Sequence, residues 1–175
     1  MKADKIQEIE AITGTLLQDI YPNGNIEIPV RLDLILKKNN IKLTYIDLKE
    51  QGNEVAGFFV RSDNCIYVST NDSFPRTAFT IAHELGHFIL HKNSVDQEIL
   101  YRKQADLIDQ ADIEVEKEAN WFAASILMPR NRVILYWELI KDMNKTAALF
   151  GVSITAMYWR LKNIGINTEK IMSTL

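Results

Sequence analysis

The stretch TIAHELGHFILH, residues 80–91, decides the fold and the chemistry of this sequence. Apolar residues lie on both sides of the polar residues 83–84 and predict a helix that is buried on most sides. His83 and His87 are four residues apart, so on a helix they lie one turn apart on the same face. Two imidazoles placed in this way can reach one zinc ion at about 2.0–2.1 Å each. The stretch therefore predicts a metal site on a helix.

Glu84 follows the first histidine directly and is displaced by about 100° around the helix axis. From that position it cannot easily share the coordination site, but it can hydrogen-bond a water on the metal and take its proton. Glu84 is therefore the predicted general base. Gly86 costs about 1 kcal/mol relative to alanine in a helix, so it indicates the close approach of another backbone or of a substrate.

A catalytic zinc site needs a third protein ligand, and the remaining histidine, His91, does not fit that role. Zinc bonds of about 2 Å cannot span two helical turns of about 5.4 Å each. The spacing also differs from the longer pattern in which the third histidine follows the first by about ten residues. We expect His91 to be a helix-end residue that the helix dipole favours.

The acidic stretch 114–124 is the predicted source of the third ligand. On a helix, Glu116 shares a face with Ala119, Asn120 and Ala123, and small residues there let two helices lie close together. Glu118 is a competing candidate, whereas Glu114 is expected on a solvated face. The alternative is that all three glutamates form a solvated surface near a helix start, where acidic residues are favourable.

The remaining pattern predicts an α+β fold, with a small antiparallel sheet of about three strands packed against a mostly helical domain. Helices are expected at 3–20, 75–91, 113–127 and 132–143, with a less regular one near 97–108. Pro29 is expected to open a helix that closes at 39–40, after a turn at 21–25. Asn144 and Ser153 are expected to cap short C-terminal helices. Strands are expected at 41–46, 55–60 and 65–68, with turns at 52–53 and 62–64.

Composition bounds the class of protein. The 175 residues carry a formal charge of −3, whereas proteins that grip phosphates usually have a basic excess. The single cysteine, Cys65, excludes an internal disulfide and fits a reducing compartment. We see no secretory leader and no apolar run long enough for a bilayer, so we expect a cytoplasmic protein without membrane contact.

Residues 66–68, 76–91 (RTAFTIAHELGHFILH) and 116–129 (EKEANWFAASILMP) resemble the ImmA/IrrE family of bacterial metallopeptidases. The resemblance implies a zincin-like domain and a zinc endopeptidase that holds one Zn²⁺ per chain. It places the metal ligands at His83, His87 and Glu116, and the catalytic glutamate at Glu84. Members of this family are cytoplasmic regulators that cleave or inactivate a helix-turn-helix repressor in mobile elements or stress responses. The implied partner is therefore a separate repressor protein.

Residues 146–161 form a helix-turn-helix pattern, in which Gly151 breaks the first helix and Ser153 caps the second. Arg160 and Lys162 could meet phosphate, which would make the tail a DNA-binding module. We favour a helical pair that packs on the peptidase core, because the recognition face has few basic or amide residues. We accordingly assign residues 1–130 to a peptidase domain and 131–175 to a helical extension, and we do not expect direct nucleic-acid binding.

Two functions remain open beside the enzyme. One is a zinc-stabilised regulator that sequesters a repressor without cutting it, and the other is the DNA-binding tail. If the protein is a peptidase, strand addition is a common way to hold an extended substrate. We expect residues 65–69 to be the sheet edge that does so, with Tyr67 either facing the cleft or in the core.

Overall fold

The computed structural model describes residues 1–48, 56–91 and 110–167. Within these ranges seven helices accompany a three-stranded sheet, which confirms the predicted α+β class. The elements are α1 Ala3–Ile20, α2 Leu32–Lys38, β1 Lys42–Ile46, β2 Gly57–Val60, β3 Cys65–Ser69, α3 Phe74–Leu90, α4 Gln110–Leu127, α5 Arg130–Ile140, α6 Met143–Phe150 and α7 Ile154–Asn163.

The sheet has the strand order β1-β3-β2 and is mixed. β2 and β3 form an antiparallel hairpin through the turn at 61–64, whereas β1 runs parallel to β3 on its other side. The expectation of three strands is confirmed, but that of a purely antiparallel sheet is wrong for the β1–β3 pair. The physical reason is that β1 pairs with β3, which does not follow it directly in the chain, and only strands joined by a tight hairpin are obliged to run antiparallel.

The strand order also corrects the predicted substrate edge. β3 lies in the centre, with β1 on one side and β2 on the other, so residues 65–69 are not an edge. In the described part of the chain, the edges are β1 and β2. Gly57 brings β2 close to α3, because a Cβ there would lie 2.5 Å from the carbonyl oxygen of Tyr67 and 2.7 Å from Cγ2 of Thr80.

Helices α3 and α4 pack closely at Gly86. A Cβ at this position would lie 3.1–3.2 Å from the side chain of Phe122, which is fully buried. The close approach that the glycine indicated is therefore made by an aromatic side chain of α4. Ala119 and Ala123 are also buried on α4, and their small size lets the two helices lie side by side. This contact sets the distance between the histidines of α3 and the acidic end of α4.

The C-terminal helices join the same core as the rest of the chain. Phe150, Met157 and Leu161 belong to one apolar cluster with Ile9 of α1. The helical pair α6–α7 confirms the pattern around Gly151, which has a positive φ of 66°. No described feature tests the division at residue 130, which stays a prediction.

Arg160 does not offer the free guanidinium that the DNA-binding alternative would need. Its side chain is 1% exposed, and its guanidinium holds both carboxylate oxygens of Glu10, at 2.6 and 3.1 Å. Its Nε donates to the carbonyl oxygen of Met128 at 2.9 Å. The sequence left open that this arginine meets phosphate, but the half-buried carboxylate from α1 turns it inward. Lys162 is exposed and lies over the ring of Trp159.

Several element boundaries differ from the predicted ones. α2 begins at Leu32 rather than Pro29, because the backbone N–H of Arg31 is held by the hydroxyl of Tyr21 before the helix starts. Asp142 rather than Asn144 caps α6, with its side chain accepting from the backbone N–H of Lys145. Ser153 caps α7 as predicted.

Some expectations fall outside the described ranges, namely the helix near 97–108 and the turn at 52–53. Among the described helices, none combines the length and the apolar character that crossing a bilayer requires.

Candidate metal centre

Three side chains converge between α3 and α4. The Nε2 atoms of His83 and His87 lie 2.9 Å apart, and the carboxylate oxygens of Glu116 lie 3.3 Å from the first and 3.2 Å from the second. Zinc bonds of about 2.0–2.1 Å at tetrahedral angles hold their ligand atoms about 3.3 Å from one another. Each histidine faces a different oxygen of Glu116, so two imidazole nitrogens and one carboxylate converge at spacings close to those of ligands around a single zinc ion. Two imidazoles and a carboxylate are also a donor set that zinc prefers.

Each side chain reaches this point through its local structure. The four-residue spacing on α3 stacks the two imidazoles, whose ring centroids are 4.6 Å apart. Glu116 comes from the facing helix, in the first turns of α4, because the contact of Gly86 with Phe122 holds the helices close. The structure thus brings together the three residues that the sequence proposed as ligands.

Asn120 orients the first histidine. Its Oδ1 lies 3.0 Å from Nδ1 of His83, and an amide oxygen can only accept, so the proton is on Nδ1. The lone pair of Nε2 then points at the converging atoms, as a metal ligand requires. The sequence placed Asn120 only on the face of Glu116, and its role was missed. The signal was present in the spacing, since Glu116 and Asn120 are one turn apart on α4.

The charges of the cluster stabilise one another. Burial opposes protonation of His83, but the hydrogen bond to Glu116 and the negative charges of Glu84 and Glu116 outweigh it and raise its pKa. Burial likewise disfavours the charged form of Glu116, yet its hydrogen bonds to both histidines hold its pKa well below the usual range. Glu116 is therefore ionised at neutral pH, the form in which a carboxylate binds a cation.

Glu84 lies within α3 and is 2% exposed. Burying a carboxylate is costly, so its position between the two histidines in sequence needs a compensating role. Its charge contributes to the raised pKa of His83, which shows that it lies near the cluster. A carboxylate near a metal-binding imidazole is a candidate general base for water.

The other candidates lie apart from this cluster. Glu118 directs its carboxylate to Lys5, at 3.6 Å, and to His91, at 3.8 Å. Glu114 pairs with Lys117 at 2.7 Å at the surface, as expected for a solvated face. Of the two glutamates that the sequence left open, Glu116 is the one with oxygens beside both histidines.

His91 ends α3, as predicted, but not for the predicted reason. Burial and the nearby charge of His87 lower the pKa of His91 to about 4, so its imidazole is neutral at pH 7. A helix dipole favours a cation, and a neutral ring gains little from it. The described contacts of its ring include those with His87, at 5.7 Å between centroids, and with Glu118, at 3.8 Å.

Comparisons with known proteins extend these findings. A family profile described as the IrrE N-terminal-like domain matches residues 36–162. A solved structure described as a Mycobacterium tuberculosis transcriptional regulator is similar with a TM-score of 0.62, at 17% identity over 92% of this chain. This chain spans 47%, about half, of the length of that protein, and at such identity the likeness shows a shared fold. No curated protein sequence matches the chain significantly.

Proposed function

The chain belongs to the family of the IrrE N-terminal-like domain, which is metallopeptidase-like, and on that premise we propose that it is a zinc-dependent endopeptidase. One observation carries the proposal: Nε2 of His83 and Nε2 of His87 lie 2.9 Å apart, and each lies 3.2–3.3 Å from one oxygen of the Glu116 carboxylate, which is close to the ligand spacing around a zinc ion. A site with three protein ligands leaves a fourth position for water or substrate, which is the arrangement of catalytic zinc sites.

The residues divide the chemistry among them. His83, His87 and Glu116 would hold the zinc, which when bound acidifies water and polarises a peptide carbonyl. Glu84 accepts a proton from the attacking water while the oxygen of that water bonds to the carbonyl carbon. When the C–N bond breaks, Glu84 returns that proton to the leaving amine. Asn120 keeps the proton of His83 on Nδ1 throughout, so that Nε2 stays a ligand.

The proposed substrate is a separate regulatory protein, a helix-turn-helix repressor. The proposal rests on the ImmA/IrrE resemblance of residues 76–91 and 116–129, and a similar solved structure is described as a transcriptional regulator. We place the reaction in the cytoplasm, because the buried free thiol of Cys65 suits a reducing compartment.

The decisive experiment compares Glu84→Gln with the wild type, and its substrate is the small DNA-binding protein that we expect the neighbouring gene to encode. Wild-type protein loaded with zinc should cut it at a defined bond, read by gel electrophoresis and mass spectrometry. Loss of the general base should slow cleavage by about 10²–10⁴-fold, while the zinc content stays near one per chain. Glu118→Gln is the matched control and should cut normally. Cleavage by Glu84→Gln at the wild-type rate would refute the mechanism.

A second candidate is a regulator that sequesters the repressor without cutting it, which the description of the similar structure favours. The two functions differ in a reporter assay. Glu84→Gln should abolish relief of repression by a peptidase but leave relief by sequestration unchanged. His87→Ala would remove a zinc ligand and impair both.

A further inference from the structure

A groove of about 610 Å³ lies between α7 and the helices that carry the metal centre. Six residues define it here as the α7 groove: Phe79, Asn120, Ala124, Met128, Ala156 and Trp159. Binding pockets for drug-sized molecules commonly have volumes of about 300–1,000 Å³, so the groove is large enough for a side chain and its flanking backbone.

One end of the α7 groove adjoins the metal centre. Asn120 lines the groove and also holds Nδ1 of His83, and the ring of Phe79 lies 6.4 Å from the imidazole of His83. A second cavity of about 340 Å³ shares Phe79 and Ala156 with the first and continues along α3 towards Arg76. The α7 groove therefore begins at the Nδ1 side of the His83 ring, one residue removed from the Nε2 atom that faces Glu116.

The α7 groove has apolar and aromatic walls with polar residues among them, and Lys117, which also lines it, is paired with Glu114 at 2.7 Å. Trp159 is 52% exposed although it forms part of a wall, and large exposed aromatic side chains are typical anchors of interfaces. Ala124 and Ala156 leave open the space that larger side chains would fill. The nearby guanidinium of Arg160 is already neutralised by both oxygens of Glu10, so it does not make the groove selective for an acid.

We propose that the α7 groove binds a large apolar side chain of the polypeptide substrate, close to the bond that is cut. The identity of the occupant as a substrate rests on the proposed peptidase function, whereas the binding of an apolar side chain in the α7 groove does not. The occupant is a side chain such as phenylalanine, leucine or tryptophan, because the walls offer aromatic and aliphatic contact and little charge. Continuity with His83 through Asn120 places that side chain within a few residues of the metal centre.

The test uses the full chain with zinc and the indole N–H signals of its three tryptophans in an NMR titration. Trp121 and Trp159 line the groove, whereas Trp137 lies in α5 and does not. The probes are N-acetylphenylalaninamide and N-acetylglutaminamide, which are similar in size but differ in polarity. The aromatic probe should shift the signals of Trp121 and Trp159 saturably and leave Trp137 unchanged. The glutamine probe should shift none of them.

Two matched variants locate the binding. Ala156→Leu fills the groove and should lower the affinity for the aromatic probe by at least tenfold. Ala148→Leu makes the same change on the exposed face of α6 and should leave that affinity within twofold of the wild-type value. Equal shifts by both probes, or binding that Ala156→Leu does not weaken, would overturn the inference. If Ala156→Leu fails to fold, the comparison of the two probes on the wild-type protein still tests whether the groove prefers an apolar side chain.

A further outcome concerns the occupant. Self-association that Ala156→Leu abolishes in sedimentation velocity would assign the groove to a second copy of the chain and overturn the substrate proposal. The readout needs no cleavage, so the two proposals fail separately. Probe binding without any cleavage would refute only the peptidase, and cleavage without probe binding would refute only the groove.

Discussion

The Nε2 atoms of His83 and His87 lie 2.9 Å apart, and Glu116 places one carboxylate oxygen beside each of them. Two imidazolium cations at this distance would repel each other strongly. The two rings together therefore carry less positive charge than a divalent cation would bring to the carboxylate. A divalent cation would satisfy all three groups at once. This geometric relationship makes metal binding the first property to measure.

Removal of the carboxylate ligand should abolish tight zinc binding. Glu116→Ala leaves two imidazoles, and we expect its zinc affinity to fall by more than about 100-fold, beyond the range typical for residues that only support a ligand. The measurement is zinc content by plasma mass spectrometry, together with competition against a chromogenic chelator.

Glu118→Ala is the matched control for the ligand assignment. Its carboxylate lies 3.6 Å from Lys5 and 3.8 Å from His91, away from the converging ligand atoms. The variant should bind zinc as the wild type does. Loss of zinc from Glu118→Ala with retention in Glu116→Ala would reverse the assignment.

Asn120 should tune zinc affinity without being a ligand. Asn120→Ala removes the acceptor that keeps the proton of His83 on Nδ1, and supporting residues of this kind typically contribute about 10–100-fold to metal affinity. The chelator competition should show a loss in that range, while Asn144→Ala, at an exposed position of α6, should show none. An unchanged affinity in Asn120→Ala would mean that His83 is oriented by other contacts.

The sequence predicted what depends on local spacing and missed what depends on distant partners. His83 and His87 share a helical face because of a fixed four-residue offset, which any helix imposes. The choice between Glu116 and Glu118 depends on how α4 rotates against α3, and that rotation is set by Phe122 against Gly86. Short-range patterns contain no information about such a contact.

The same limit explains the two clearest corrections. The pairing of β1 with β3 depends on a crossover, because hairpin signals report only neighbouring strands. From the sequence alone Arg160 could be a surface cation, because its partner Glu10 lies 150 residues earlier in the chain. An arginine is usually exposed unless paired, and only the fold reveals the pair.

Two glycines should respond in opposite directions to the same substitution. In Gly57→Ala the new methyl group would meet the backbone carbonyl oxygen of Tyr67 at 2.5 Å, which cannot move without disturbing the sheet. We expect a loss of about 2 kcal/mol or more in the free energy of unfolding, as for an overpacked core. Gly14 in α1 has open space at that position, so Gly14→Ala should gain up to about 1 kcal/mol. Urea titrations of both variants measure the difference, and equal signs would contradict the described packing.

The ion pair of the half-buried Glu10 and the buried Arg160 should make stability depend on pH. Burial opposes the charged form of Glu10, but the hydrogen bonds and charge of Arg160, with further bonds from Ser125 and Trp121, lower its pKa below the ordinary value of 4.5. A carboxyl whose pKa is lower in the folded state stabilises the fold fully above its unfolded pKa. That stabilisation is lost as the pH falls through the folded value. The contribution should therefore be complete at pH 7 and decline below about pH 4.5.

Glu10→Gln tests this by removing the charge while keeping an acceptor of similar shape. At pH 7 the variant should be less stable by roughly 2–4 kcal/mol, because Arg160 is left buried without its counter-charge. As the pH falls below about 4.5 the difference should narrow, since the wild-type carboxyl becomes neutral as the pH passes through its lowered pKa. Glu138→Gln, which alters the exposed pair with Lys141, should show a small difference that does not change with pH. A gap for Glu10→Gln that stays constant or widens in acid would show that the carboxylate charge does not stabilise the contact between α1 and α7.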